Sequence, residues 1–400
     1  MTLFFDDLET QSADERSVRQ SGALRTILRG ITVAPESWRD AAATITGATD
    51  LSKLPVLRKS DLSDMQKARP PFGGITVGDI VHYFQSPGPI YEPGGITHDW
   101  WRMGRFIHAC GIGAGDIVQN CFSYHMTPAG MMFENGARTV GASVFPAGTG
   151  QTELQARAAS DIGVTAYAGT PDYLKILLDK ADDMGVDLSR IKRAGVGGGA
   201  LFPSLRAEYA DRGIACMQCY ATADLGNIAY ESDAMEGMII DEGVIVEIVT
   251  PGTGTPVEPG DVGEVVVTSL NADYPLIRFA TGDLSAVIKG QSPCGRTNTR
   301  IKGWLGRADQ TTKIKGMFVR PEQVAQLVAK HPEITKARVV ATRQQEKDVM
   351  TVQIESGRAN ETVYVQSVIE TLKLRGDVVV VDIGSLPNDG KVIDDQRSYE

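Results

Sequence analysis

The stretch TELQARAASDIGVTAYAGTPDYLKILLDKADDMGVDLSRIKRAGVGGG, Thr152–Gly199, alternates between two residue patterns. TELQARAASDIG and YLKILLDKADDMG carry apolar residues at helical spacing, whereas VTAYAGTP and IKRAGVGGG are short apolar runs that end in turn formers. Helices alternating with strands at this spacing predict right-handed crossovers and a mostly parallel sheet. The loops that follow such strands, at the carboxyl edge of the sheet, are where ligands bind.

The alternation extends upstream. HDWWRMGRFIHACG reads as a helix, DIVQNCFSYH as an apolar stretch, and PAGMMFENGARTVGA as a small-residue helix running into the strand-like SVFPA. From about residue 237 the texture changes to GVIVEIVT, GDVGEVVVTSL and PLIRFATGDLSAVI, separated by PGTGTP and EPGD, which predicts a small antiparallel β subdomain. Past GWLGRADQ it changes again. KIKGMFVRP (strand), EQVAQLVAKH (helix), ITKARVVATRQ and DVMTVQIES (strands), TVYVQSVIETLKLR (helix) and VVVVDIG (strand) predict a compact α+β module. The expected fold is therefore α/β. It has a large N-terminal domain, 1–305, of mixed and parallel sheets with helices and a β subdomain at about 237–305. A small mobile C-terminal α+β domain, 306–400, follows.

A net charge of −10 leaves no basic excess to neutralise a nucleic-acid backbone. No window approaches the apolar length of a membrane span, and the acidic MTLFFDDLETQSADERS lacks the basic start of a secretory signal. Five scattered cysteines fit reduced thiols in a cytoplasm. Cys216 and Cys219 form a CxxC within an apolar strand, where residues three apart point to opposite faces, so they read as core rather than as a metal pair.

Several segments hold residues suited to chemistry, each with a plain alternative. In YPLIRFATGDL, Asp283 on a glycine turn suits a sugar diol, or is simply a turn acid. Arg307 and Asp309 stand at the predicted domain junction, as a hinge or as a solvated linker. Lys391 follows Asn388-Asp389-Gly390, a loop able to carry a cation into a cleft, or is simply a solvated lysine. In QCYATADLGNIAYES, Thr222 and Asp224 suit a ligand or a magnesium ion, or a turn. In QSPGPIYEPG, Gln85–Gly94, small residues interrupt an amphipathic pattern as a phosphate-cradling loop would. Yet Pro87 and Pro89 lack N–H donors, and Glu92 stands where a lysine is wanted.

In order and spacing these segments resemble the adenylate-forming superfamily, and within it the phenylacetate–CoA ligase branch. LPVLRKSDL…PFGG, YPLIRFATGD and PCGRTNTRIKGWLGRADQTTKIKGMFVRPEQV carry the likeness, which runs from about residue 50 to residue 397. The resemblance implies a cytoplasmic ligase that uses ATP and Mg2+ to convert an aromatic or small carboxylic acid to an acyl-adenylate, then transfers the acyl group to CoA with release of AMP. It also implies a homodimer. By the same resemblance Asp283 holds the ribose hydroxyls, Arg307 lies near ribose and phosphate, Asp309 is the hinge, and Lys391 bridges carboxylate and α-phosphate. Gly198, Gly199 and Ala200 lie against adenine, and Tyr220 opens the motif, with Thr222, that covers the nucleotide. Asp224 sits near magnesium, and Tyr124, His125 and Met126 line the acyl pocket. His125 in FSYHMTPAG is alternatively a packed turn histidine.

The departures cluster at the triphosphate end. The family loop Ser-Ser-Gly-Thr-Thr-Gly-Lys-Pro aligns with Ser86-Pro87-Gly88-Pro89-Ile90-Tyr91-Glu92-Pro93, which keeps Ser86, Gly88 and Pro93. Glu92 is expected there to repel pyrophosphate. In the covering motif the hydroxyl at the fourth position is Ala223, the acid is shortened to Asp224, and the arginine usual before Thr-Gly-Asp is Ala280. Two readings follow: a working acid–CoA ligase with a remodelled loop, or a non-adenylating homologue that binds AMP, acyl-CoA or a pre-activated acyl group.

Overall fold

The helices expected around Thr152–Gly199 form at Thr152–Ile162 and Pro171–Met184, and the strands at Ala166–Gly169 and Arg193–Val196, in a computed structural model of the protein. It describes residues 3–30, 44–75, 78–86, 89–310, 312–315, 317–344, 347–358, 361–387 and 391–397. Pro171, whose fixed φ suits the first turn, starts the second helix, and Gly185 at φ 65° ends it. Leu174, Leu177, Leu178 and Ala181 make its buried stripe and pack with Tyr167 and Val196 of the sheet. The two strands pair in parallel, Ala166 with Arg193 through Gly169 with Val196.

They belong to a nine-stranded sheet. Its order begins Val287–Ile288, Arg300–Ile301, Met238–Ile240, Gly226–Tyr230 and Ala215–Thr222. It continues through Arg193–Val196, Ala166–Gly169, Ile117–Asn120 and Ser143–Phe145. From Ala215–Thr222 to Ser143–Phe145 every pairing is parallel, and the remaining pairings are antiparallel. Five strands therefore end at one carboxyl edge.

The β runs after residue 237 do not make one sheet. Met238–Ile240, Val287–Ile288 and Arg300–Ile301 extend the nine-stranded sheet, while Val244–Val249, Gly263–Ser269 and Phe279–Ser285 join Leu57–Arg58 in a four-stranded one. Alternation identifies a strand but not its partner, and Leu57, far upstream, pairs in parallel with Phe279. KIKGMFVRP, read as one strand, is a hairpin of Thr312–Ile314 and Met317–Val319 with Lys315 at φ 48° in the turn. QSPGPIYEPG is also part of a hairpin, Ile80–Ser86 against Ile90–Gly95.

Contacts divide the chain into two compact units, one of 1–261, 265–281 and 286–303, the other of 262–264, 282–285 and 304–400. The second contains a four-stranded sheet in the order Asp377–Val381, Lys347–Ser356, Ile334–Gln344, Ile393–Asp395, with helices Pro321–Lys330 and Thr362–Leu372. Its core follows from two periodicities. Val339 and Ala341, with Met350, Val352 and Ile354, face inward at every second strand position, and Val324 and Leu327, with Tyr364, Val368 and Leu372, supply the helical stripes. Among the described residues no helix is long and apolar enough to cross a membrane.

Candidate functional site

The carboxyl edge of the nine-stranded sheet gathers three loops. Strand Ile117–Asn120 runs into Cys121–Met126, strand Arg193–Val196 into Gly197–Ala200, and strand Ala215–Thr222 ends at Tyr220 and Thr222. Gly198, at φ 69°, is exposed with Gly199 and Ala200, and a Cβ on Gly198 would lie 3.6 Å from Phe122 and 3.9 Å from Thr170. This turn thus approaches the loops that follow Ala166–Gly169 and Ile117–Asn120. The Tyr124 hydroxyl accepts from Asn120 Nδ2 at 2.7 Å, and burial pushes its pKa up. His125 is exposed, its N–H bonded to Ser123 Oγ at 3.1 Å. Met126, also exposed, has φ 67°, and its carbonyl accepts from Gln85 N at 2.8 Å, which joins this loop to the Ile80–Gly95 hairpin. Tyr220 is buried, and Thr222 Oγ accepts from Leu225 N at 3.2 Å, fixing the turn that carries Asp224. Burial pushes the Cys216 thiol up to about 12, as befits a core cysteine.

The hairpin changes the reading of the phosphate loop. Glu92, expected to face and repel pyrophosphate, is 1% exposed. Its carboxylate accepts from the Ser86 hydroxyl and, at 3.2 Å, from Ser86 N. Ser86, expected to contact phosphate, is itself buried and bonded to Glu92. The cause is register: Ser86 opposes Ile90, and Glu92 opposes Phe84, so both side chains share the inward face. Gly88 and Pro87 lie outside the described residues.

Beside this face Asp224 is buried, with Oδ2 bonded to Lys59 Nζ at 3.1 Å and Oδ1 without a hydrogen-bond partner. The orphaned oxygen fits one carboxylate ligand of a magnesium ion that arrives with a nucleotide. Among the described residues no group of three or more His, Cys, Asp and Glu is placed to hold a metal by itself. Lys59, in the LPVLRKSDL segment, was not singled out by sequence; only its pairing with Asp224 marks it.

Burial, opposed by the Ser86 hydrogen bonds and reinforced by the charge of Asp224, pushes Glu92 up from 4.5 to about 7. A carboxyl raised in the folded state stabilises it fully below the unfolded pKa, and this contribution is lost as pH rises through the folded value. Stability is therefore expected to fall by roughly 3 kcal/mol between about pH 4.5 and 7 on account of Glu92. Burial raises Asp99 to about 7 as well, so the Glu92 share is read by difference. Urea midpoints of Glu92→Gln should lose part of the wild-type slope between pH 5 and 7; parallel curves would show that Glu92 titrates normally.

In the second unit Asp283 and Arg307 come together. Asp283 Oδ1 accepts from Arg307 Nη1 at 3.2 Å and from Trp304 Nε1 at 3.1 Å, and the two backbones form an isolated antiparallel bridge. Gly282, at φ 75°, allows this approach, since a Cβ there would lie 2.7 Å from Arg307 Nη2. Trp304 is a member that the sequence reading missed, although WLGRAD carries it. Asp309 lies in the one-turn 3-10 helix Ala308–Gln310. Lys391 is exposed and pairs with Asp394 at 3.0 Å; Asn388, Asp389 and Gly390 lie outside the described residues.

Residues 98–272 match the model of the AMP-binding enzyme family. The chain is 29% identical over 324 residues to a phenylacetate–coenzyme A ligase of Aromatoleum evansii, across 76% of this chain and 72% of that protein. It is 27% identical to the phenylacetate–coenzyme A ligase of Escherichia coli, across 96% of this chain and 95% of that one. In fold it resembles a 2-hydroxyisobutyryl-CoA ligase solved in the postadenylation state, with TM-score 0.80 and 24% identity, covering 97% of this chain and 91% of that one. The chain thus carries an AMP-binding enzyme match over residues 98–272 and is similar along nearly its whole length to phenylacetate–coenzyme A ligases, the branch of the adenylate-forming superfamily that its motifs resemble.

Proposed function

We propose that this protein is an ATP-dependent acid–CoA ligase acting on an aromatic or small carboxylic acid. The likeness to phenylacetate–CoA ligases along 96% of the chain carries this reading. A carboxylate oxygen of the acid attacks the α-phosphorus of ATP, the bond to the bridging oxygen breaks, and pyrophosphate leaves. The CoA sulfur, having lost its proton, then attacks the acyl carbon, and AMP departs with the electrons of the C–O bond.

In this reading the chain positions and neutralises; it has little covalent work of its own. Lys391 brings positive charge to the α-phosphate as negative charge builds there. Asp283 accepts hydrogen bonds from the ribose, with Arg307 and Trp304 fixing its carboxylate. Gly198, Gly199 and Ala200 give adenine a flat backbone surface, Tyr220 and Thr222 shape the edge above it, and Tyr124, His125 and Met126 line the acyl pocket. Asp309 is the hinge. Asp224 would hold Mg2+, which supplies neutralisation of phosphate charge.

The non-adenylating alternative is not favoured. It rested on the proline-rich, acidic loop, and the acid of that loop, Glu92, is turned inward onto Ser86; the likeness to acid–CoA ligases along the chain outweighs the prolines. Pyrophosphate release, assayed across a panel of aryl and short-chain carboxylates with CoA, is expected to require one of the acids. No release with any of them, alongside calorimetric binding of AMP or CoA thioesters, would reverse the preference.

A further inference from the structure

The loop of this protein lacks a lysine, yet a cation stands next to its inward face. Lys59 is the first residue of the ten-residue helix Lys59–Ala68, so its ammonium adds to the partial positive charge of the helix N-terminus. Its side chain is 43% exposed while that of its partner Asp224 is 2% exposed. Asp224 therefore anchors the ammonium from the protein side and leaves its other face to solvent. An ammonium has three donors, and Asp224 Oδ2 takes one. The remaining oxygen of Asp224 is buried and unpartnered, which marks the place as built for a group not supplied by the protein.

Of the charged groups beside the ammonium, Asp224 is bonded to it, Glu92 is closed onto Ser86, and Asp61 of the same helix turn accepts from Arg58 N; Tyr274 is buried, and His82 shares the hairpin face and stacks on Phe84. The ammonium of Lys59 is directed by Asp224, and no second carboxylate is bonded to it among the described residues.

We propose that Lys59 binds the β- and γ-phosphates of ATP, taking the place of the lysine absent from the 85–94 loop. The inference rests on the ligase reading for the identity of the nucleotide. Charge recognition then lies at a helix N-terminus held by a buried acid, and Glu92 is free to serve as the inward latch of the hairpin. An ammonium binds phosphate as a point charge and tolerates this change of origin.

Calorimetric titration of Mg·ATP, AMP and Mg·pyrophosphate into wild type, Lys59→Gln, and Lys59→Gln/Asp224→Asn tests it. The double variant removes both charges and so leaves no buried unpaired carboxylate, and AMP reports on the integrity of the fold in every case. The expected result is an ATP affinity lower by about tenfold or more in both variants. Pyrophosphate binding should weaken in parallel and AMP change less than about twofold. Equal weakening of ATP and AMP would make Lys59 a structural residue, and unchanged ATP binding, or none in the wild type, would overturn the proposal. Failure of the ligase reading would be seen separately, as ATP binding that depends on Lys59 without pyrophosphate release on any acid.

Discussion

Lys391→Ala is expected to lower acid-dependent pyrophosphate release by about 10²–10³-fold, the usual effect of removing one preorganised charge partner of a developing anion. The loss should fall on kcat rather than on KM for ATP, because the charge is needed most when the α-phosphorus is pentavalent. Conversion of supplied acyl-adenylate and CoA to thioester should change only a few-fold. Folding should be nearly untouched. Lys391 is 54% exposed, and its ion pair with Asp394 is of the kind that contributes at most about 1 kcal/mol. Asp394→Asn, which removes that ion pair and keeps an oxygen to accept from Gln396 Nε2, should release pyrophosphate near the wild-type rate. Unimpaired release by Lys391→Ala would remove this lysine from the adenylation step.

Arg278→Met is expected to destabilise the first unit by about 3–5 kcal/mol, as breaking a buried ion pair from one side does. Arg278 is 2% exposed. Its guanidinium bonds Glu247 Oε2 at 2.9 Å, the carbonyl of Gly254 at 2.7 Å and the carbonyl of Leu54. One side chain thus ties its own segment to Leu54, far upstream, and to the 247–254 region. Its backbone φ of 47° is as costly for Met as for Arg, so the loss belongs to the side chain. Burial already raises Glu247, and Arg278 holds it down; without the arginine that carboxylate is left uncompensated. Glu247→Gln added to Arg278→Met should therefore recover part of the loss in a denaturant titration. An unchanged midpoint for Arg278→Met would mean that the three-way tie contributes nothing.

The sequence by itself indicated most of the long helices and strands and, through the order of its motifs, the family that the chain resembles. Helical stripes such as Leu174, Leu177, Leu178 and Ala181, and the alternation in Ile334–Gln344 and Lys347–Ser356, are local signals, because side-chain period is a property of one segment. Asp283 and Arg307 were legible for the same reason, each at a recognisable place in its motif. Partnership was not. Nothing local tells Leu57 to pair with Phe279, or sends Met238–Ile240 to the nine-stranded sheet and Val244–Val249 to the other. The same limit misled the reading of Glu92. Its charge is visible in the sequence, but its direction is set by cross-strand register with Ser86–Ile90 and Phe84, and a residue on the inward face of a hairpin cannot also meet a ligand outside it. Lys59 is the converse, an ordinary surface lysine by sequence. Only the tertiary structure, by bringing it within 3.1 Å of the buried Asp224, makes it a candidate for the charge that the loop no longer carries.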